Sequence, residues 1–272
     1  MILNILRIYM ICLFCFFCIV FSTTGYYAHA EDFVAVSPES GSEYSSGIEL
    51  YNEGKFSEAL VHFQKAYELD ERNVAAYFAM GLSLNRQNKY KEAAEKFRFV
   101  LEKDSTYVKA QKALPAALSN AGEFEKALDA YDKAIEVDPE DHILYYGKAR
   151  TYLKMEKFKE ALPLFERSLE LSPSNINYQY MVAQTLAEMG SFKMASQAAE
   201  KVLAKNSNHS RARVIVADYL RLTGKLNEAL SHYEIAAKDL ETKTYAEYFI
   251  EVIKRQLEEQ EIEEEWQNRQ NQ

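Results

Sequence analysis

The sequence predicts an all-α repeat fold, and three observations carry that expectation. Only 5 Pro and 9 Gly occur in 272 residues, too few turn formers for an all-β sandwich of this length. Ala, Leu, Glu, Lys and Gln, the strong helix formers, dominate instead. Alanine also recurs at Ala59, Ala93, Ala127, Ala161, Ala195 and Ala229, each 34 residues after the last, a period characteristic of stacked helical repeats. Hydrophobic and charged contents of 48% and 27% exclude wholesale disorder and collagen-like composition. A net charge of −9, from 32 Lys+Arg against 41 Asp+Glu, argues against nonspecific nucleic-acid binding as the main activity.

The N-terminal segment has a different character. After Arg7, every residue from Ile8 to Phe21 is apolar or aromatic, and Ala28-His29-Ala30 follows. This is the layout of a secretory signal, with residues 1–30 removed and a mature chain starting at Glu31. The run falls short of the ~18 apolar residues that a membrane span needs; an uncleaved anchor is the alternative, and membrane association belongs to that alternative alone. Cys12, Cys15 and Cys18 all lie in this run, where they read as small hydrophobes rather than a metal site. The mature chain would then fold without disulfides in either redox environment. Residues 31–39 read as a linker.

The repeats follow at 40–73, 74–107, 108–141, 142–175, 176–209 and 210–243. Taking the recurrent alanine as column 20, column 8 holds Gly47, Gly81, Pro115, Ala149, Ala183 and Ala217. Column 24 holds Phe63, Phe97, Tyr131, Phe165, Ala199 and Tyr233. Columns 4, 7, 8 and 11 lie on one face of a first helix, and columns 17, 20, 24, 27 and 28 on one face of a second. Small residues at 8 and 20 let the two axes approach while bulky residues at 11, 17 and 24 fill the space beside them. Column 15 carries Gly54, Gly122, Gly190 and Gly224, the left-handed residue that ends the first helix; Pro139 and Pro173 stop the second. Pro115 falls inside a first helix, where it lacks the N–H that would bond the Gln111 carbonyl, so a kink is expected there.

This pattern resembles the tetratricopeptide repeat family. The resemblance implies an all-α, right-handed superhelical solenoid of helix-turn-helix units. Glu43, Gln111 and Gln179 depart from it at column 4, where the family prefers an aromatic. Residues 244–272 close the chain: Tyr245, Phe249, Val252, Ile253 and Leu257 form a helical stripe that reads as a cap over the last repeat. The acidic stretch from Glu258, with Trp266, reads as a tail that frays into solvent.

Catalytic signatures are missing. No phosphate loop, nucleophile elbow or HExxH motif occurs, and His29, His62, His142, His209 and His232 lack ligand spacing. Neither an enzyme nor a metal or cofactor site is expected. The resemblance implies that columns 2, 5, 9, 12 and 13 line a concave groove. Basic side chains there are Arg86, Lys109, Lys112, Arg150, Lys154, Arg211 and Arg221, against Glu188 and Asp218. Tyr51, Phe78, Asn120, Tyr146 and Tyr180 share the surface. Such a lining suits an extended acidic segment of a protein or peptide partner. The family's clamp for chaperone C-termini needs Asn at column 9 after Lys at column 5, and Ala116 follows Lys112 instead.

The function expected is therefore a non-enzymatic exported binding scaffold, in the periplasm or cell envelope, that helps assemble or stabilise an envelope or secretion complex. A lumenal co-chaperone in a eukaryotic secretory pathway and a structural spacer with no groove ligand are the alternatives. Oligomeric state is not readable. Intact-mass measurement of the exported protein should show residues 1–30 removed; a retained Met1 with detergent-dependent extraction would establish the anchor.

Overall fold

Two helices per 34 residues follow from where the chain can turn. A computed structural model describes residues 36–271, which form thirteen helices and no strand. The first helices of the six repeats are α1 (Pro38–Asn52), α3 (Val74–Arg86), α5 (Val108–Asn120), α7 (His142–Lys154), α9 (Ile176–Glu188) and α11 (Ser210–Leu222). The second helices are α2 (Phe56–Leu69), α4 (Tyr90–Lys103), α6 (Phe124–Val137), α8 (Phe158–Leu171), α10 (Phe192–Lys205) and α12 (Leu226–Ala236), and α13 (Lys243–Gln270) closes the chain. The expected signal segment lies outside the described residues. α1 starts inside the expected linker, at Pro38, because the Ser37 hydroxyl accepts from the Ser40 N–H at 3.2 Å and caps it.

Every first helix ends the same way. Column 15 has positive φ in all six repeats: Gly54 (79°), Asn88 (60°), Gly122 (83°), Glu156 (56°), Gly190 (73°) and Gly224 (77°). The N–H of the next residue then bonds the carbonyl of column 11, as Lys55 does to Leu50 and Lys225 to Leu220, both at 2.9 Å, which is the Schellman closure. Second helices begin two residues later, at column 17. Their ends are fixed by column 34, where Asn73, Asp141, Asn175 and His209 accept from N–H groups of the following first helix.

Packing inside a repeat depends on columns 8, 20 and 24. All six column-20 alanines are 0% exposed. A Cβ on Gly47 or Gly81 would stand 2.5 Å from the ring of Phe63 or Phe97, so these rings lie directly on the helix backbone opposite. Repeat 5 has no ring in column 24: Ala183 faces Ala199 in the core instead. Column 3 is buried in repeats 2–6, as Ala76, Ala110, Leu144, Tyr178 and Ala212. Column 4, expected in the core, is half-buried throughout. The apolar stripe is rotated by one residue because the first helix must also face the second helix of the preceding repeat.

Pro115 is buried and α5 continues unbroken across it from Val108 to Asn120. The residue occupies column 8, the small-residue column, and costs the helix one backbone hydrogen bond without ending it.

Successive repeats stack second helix on first helix, with apolar clusters at most junctions. Repeats 3 and 4 are joined differently. Their shared apolar cluster is small, Tyr131, Ala134 and Leu144 with Ile135 beside them, and polar ties supplement it. Lys112 Nζ donates to Asp138 Oδ2 at 2.7 Å and Asp141 Oδ2 at 2.8 Å. The Thr151 hydroxyl donates to Ser119 Oγ at 2.8 Å. Tyr131 is pushed up to about 12 by burial, and its hydroxyl passes so near Gly147 that any Cβ there would collide with it.

The C-terminal cap is held by a polar lock. The carboxylate of Asp218 accepts from the Tyr233 hydroxyl and, at 3.0 Å, from Tyr245 on α13. The Arg221 guanidinium stands 4.3 Å from the Phe249 ring centroid. Burial pushes the Asp218 carboxyl up, against the two tyrosine hydrogen bonds and Arg221, and Tyr245 rises to about 12 for the same first cause. The acidic stretch does not fray: α13 runs on to Gln270, with Gln267 donating to Glu263 at 2.9 Å and Arg269 3.7 Å from Glu265.

Glu156 carries a side chain where four other repeats have glycine, and a left-handed non-glycine residue costs ~1–2 kcal/mol. Glu156→Gly should stabilise the chain by about 1 kcal/mol after the added flexibility of the unfolded state is subtracted. A melt should show a rise of ~2–4 °C; a fall would mean that the turn at Glu156 is not strained.

Candidate functional site: the inner face of the first helices

First helices of neighbouring repeats touch one another, α1 with α3, α5 with α7 and α9 with α11. These helices carry columns 2, 5, 9, 12 and 13, the expected groove lining. The structure divides the expected groove residues into three sets.

The first set packs inward. Phe78 lies 5.4 Å from the Phe97 and Tyr107 ring centroids. Tyr51 meets Phe56 edge-on at 5.3 Å, and its hydroxyl accepts from Arg86 Nε at 3.2 Å. Lys109 is half-buried.

The second set is neutralised by neighbours. Lys112 is held by Asp138 and Asp141; burial lowers its affinity for a proton, but the two carboxylates outweigh burial and hold it above the ordinary lysine value. Arg211 is ion-paired with Glu241. Arg221 is committed to the α13 lock, as is Asp218. The carboxylates on Asp138, Asp141 and Glu241 sit on loops between repeats, so a tally of inner columns does not include them.

The third set keeps its charge open to solvent. On α7, Arg150 and Lys154 are one helical turn apart and exposed. Lys154 Nζ donates to Asn120 Oδ1 at 2.8 Å and to the Ser119 carbonyl at 3.2 Å. Its proton affinity is lowered first by burial and then by the like charge of Arg150. Among the described residues, no carboxylate stands within ion-pair distance of either cation. Arg150 reaches over the Tyr146 ring, 5.8 Å from its centroid. Tyr146 in turn stacks on Tyr178 at 4.8 Å and 29°. Sequence reasoning missed Tyr178 and its partner His142, whose Nδ1 lies 2.8 Å from the Tyr178 hydroxyl; the signal was a tyrosine at column 3, where the other repeats carry Ser42, Ala76, Ala110, Leu144 and Ala212.

A second feature lies one repeat further on. Asn177, Tyr180, His209, Arg211 and Glu241 surround a cavity of about 300 Å³. The Tyr180 and His209 rings stand 4.7 Å apart, and burial pushes the Tyr180 hydroxyl up, against the nearby Arg211. No three His, Asp or Glu side chains among the described residues converge as metal ligands would.

Three family models match the chain: "Tetratricopeptide repeat" at residues 116–176, "TPR repeat" at 47–88 and "Anaphase-promoting complex, cyclosome, subunit 3" at 158–236. The chain belongs to the tetratricopeptide repeat family. Solved structures share its fold. MamA from residue 41 onward, from Desulfovibrio magneticus RS-1, is 18% identical with a TM-score of 0.61, over 64% of this chain and 99% of that one. The Pseudomonas aeruginosa pilF structure is 18% identical with a TM-score of 0.63, over 80% and 97%. YrrB, described as a TPR protein with an unusual peptide-binding site, is 22% identical with a TM-score of 0.57, over 68% and 96%. No curated protein matches the sequence.

His209 yields a pH test. Its Nδ1 accepts from the Ala212 N–H at 3.2 Å and caps α11, which requires an unprotonated nitrogen. Burial, then Arg211, depresses its affinity for a proton, outweighing an opposing backbone hydrogen bond. The unfolded chain therefore takes up the proton first, near pH ~6.5, and stability is lost as pH falls through that value. His209→Asn, which keeps the cap in the manner of Asn73 and Asn175, should lose less melting temperature than the wild type between pH 7.5 and 5.5. Equal losses would show that the cap does not titrate.

Proposed function

We propose that this chain is a non-enzymatic scaffold, exported to the periplasm or cell envelope, which holds an acidic segment of a partner protein against α5 and α7 and so supports assembly of an envelope or secretion complex. The observation that carries the reading is the cation pair Arg150 and Lys154, free of carboxylates and bordered by the Tyr146–Tyr178 stack on a chain of net charge −9. A local positive surface on an acidic molecule draws an acidic segment inward while the rest of the surface repels it, and Tyr146, half-buried and backed by the buried Tyr178, supplies apolar area beside the charges. Peptide binding by YrrB, a structural relative, supports the same use of the fold. Export is supported by the apolar run Ile8–Phe21 and the Ala28-His29-Ala30 sequence that follows it.

The test uses Arg150→Glu with Lys154→Glu, since Lys112 braces repeats 3 and 4 and its loss would disturb the fold. A fluorescein-labelled peptide that interleaves glutamates with leucine and tyrosine serves as the probe. The double variant should bind it at least tenfold more weakly, a change of ~1.4 kcal/mol, with the helical spectrum unchanged; Lys154→Gln alone, which also loses the charge-assisted bonds to Ser119 and Asn120, should lower the melting temperature as much as the double variant but weaken binding less. Wild-type affinity should also fall as salt is raised. Equal affinities in variant and wild type would overturn the reading.

A further inference from the structure

Beyond Leu257, α13 leaves the body of the protein. Every described residue from Glu258 to Asn271 is exposed, and only an open cleft of about 770 Å³, floored by Leu222 and Leu226, separates this half of the helix from repeat 6. A helical stretch this short is marginal in water on its own, yet it carries two large apolar side chains, Ile262 at 66% and Trp266 at 51% exposure. They share one face with Glu258 and Glu265, at spacings i, i+4, i+7 and i+8. That face points away from the stripe of Ala246, Ile250 and Ile253 that α13 buries. From Glu258 to Gln270 the helix has six glutamates against Arg269 alone. It is an acidic segment with an aromatic anchor, the chemistry that the inner surface at Arg150, Lys154 and Tyr146 accepts.

We propose that the occupant of that surface is a second copy of this chain: the projecting half of α13 in one molecule docks, as a helix, on α5 and α7 of the next. The inference rests on the reading of that surface as an acidic-segment site and names its partner. Trp266 would lie against Tyr146, which Tyr178 backs from the core, while Glu258 and Glu265 face Arg150 and Lys154. Within one molecule the two surfaces do not meet, since α13 packs on α12 and repeat 5 lies between that repeat and α7. A tail and a groove at different places on the same chain make a head-to-tail contact, which propagates into rings or open chains rather than closing as a two-fold dimer.

Sedimentation and the fluorescence of Trp266, the chain's one tryptophan, test this directly on the purified protein. Wild type should associate with rising concentration in 50 mM NaCl, with emission moving to shorter wavelength, and associate at least fivefold more weakly in 300 mM NaCl. Termination after Leu257, or Arg150→Glu with Lys154→Glu, should each weaken self-association at least tenfold with an unchanged helical spectrum. Mixing those two variants should produce a 1:1 complex, because one retains the groove and the other the tail. Adding Glu258→Lys and Glu265→Lys to the groove variant should restore self-association. A wild type that stays monomeric to 200 μM overturns the proposal. Association that survives in the groove variant and fails in the mixture also overturns it, in favour of pairing between two α13 helices. A labelled peptide of residues 255–272 separates this failure from that of the parent reading. If it does not bind while the glutamate–tyrosine probe does, self-docking is wrong and the acidic-segment site stands; if neither binds, both fall.

Discussion

The contact on which the rest of the structure depends is an aromatic ring laid on bare helix backbone. Phe63 against Gly47 and Phe97 against Gly81 bring the two helices of a repeat closer than any larger side chain in column 8 allows. That separation, with the column-20 alanines, fixes the angle at which the second helix leaves and so where the next repeat begins. Repeat 5, with Ala199 in place of the ring, keeps the spacing with small side chains on both sides, and its neighbours in the core, Val202, Val216 and Ile215, fill the volume.

Function sits where that regular frame leaves side chains over. Columns that pack are spoken for in every repeat, so any chemistry must come from the inner columns and from the loops. Loops decide the outcome here. Asp138, Asp141 and Glu241 remove Lys112 and Arg211 from the available positive charge, and the cap removes Arg221. Of the four cations left, Arg86 bonds the Tyr51 hydroxyl and Lys109 is half-buried, while Arg150 and Lys154 stand together on α7, with Asn120 bonded to Lys154 and Tyr146 beside them.

Most of the architecture was legible in the sequence because packing columns repeat and loops do not. The alanine period, the aromatic column and the four glycines at column 15 gave helix number, boundaries and turns. Asn88 and Glu156 adopt the same left-handed turn without the residue type that announces it, since closure of the repeat overrides local preference at those positions. Column 3 went unread because its burial comes from the neighbouring repeat, which a single-helix periodicity does not contain. The acidic end was expected to fray on charge alone, but spaced pairs such as Glu265–Arg269 and continuity with the docked half of α13 keep it helical. At the candidate site the residue types were legible and the pairing was not, because a salt bridge between columns of adjacent repeats has no sequence period.

The joint between repeats 3 and 4 has a mechanical consequence. Apolar faces resist separation because opening them exposes area to water at once, whereas a lysine bridged to two aspartates can lengthen, rotate and take in water with little change in free energy. A stack of six units with one such joint behaves as two stiff blocks on a compliant hinge, and the hinge falls at α5 and α7, directly beneath Arg150 and Lys154. The joint with the smallest apolar cluster thus lies next to the two cations.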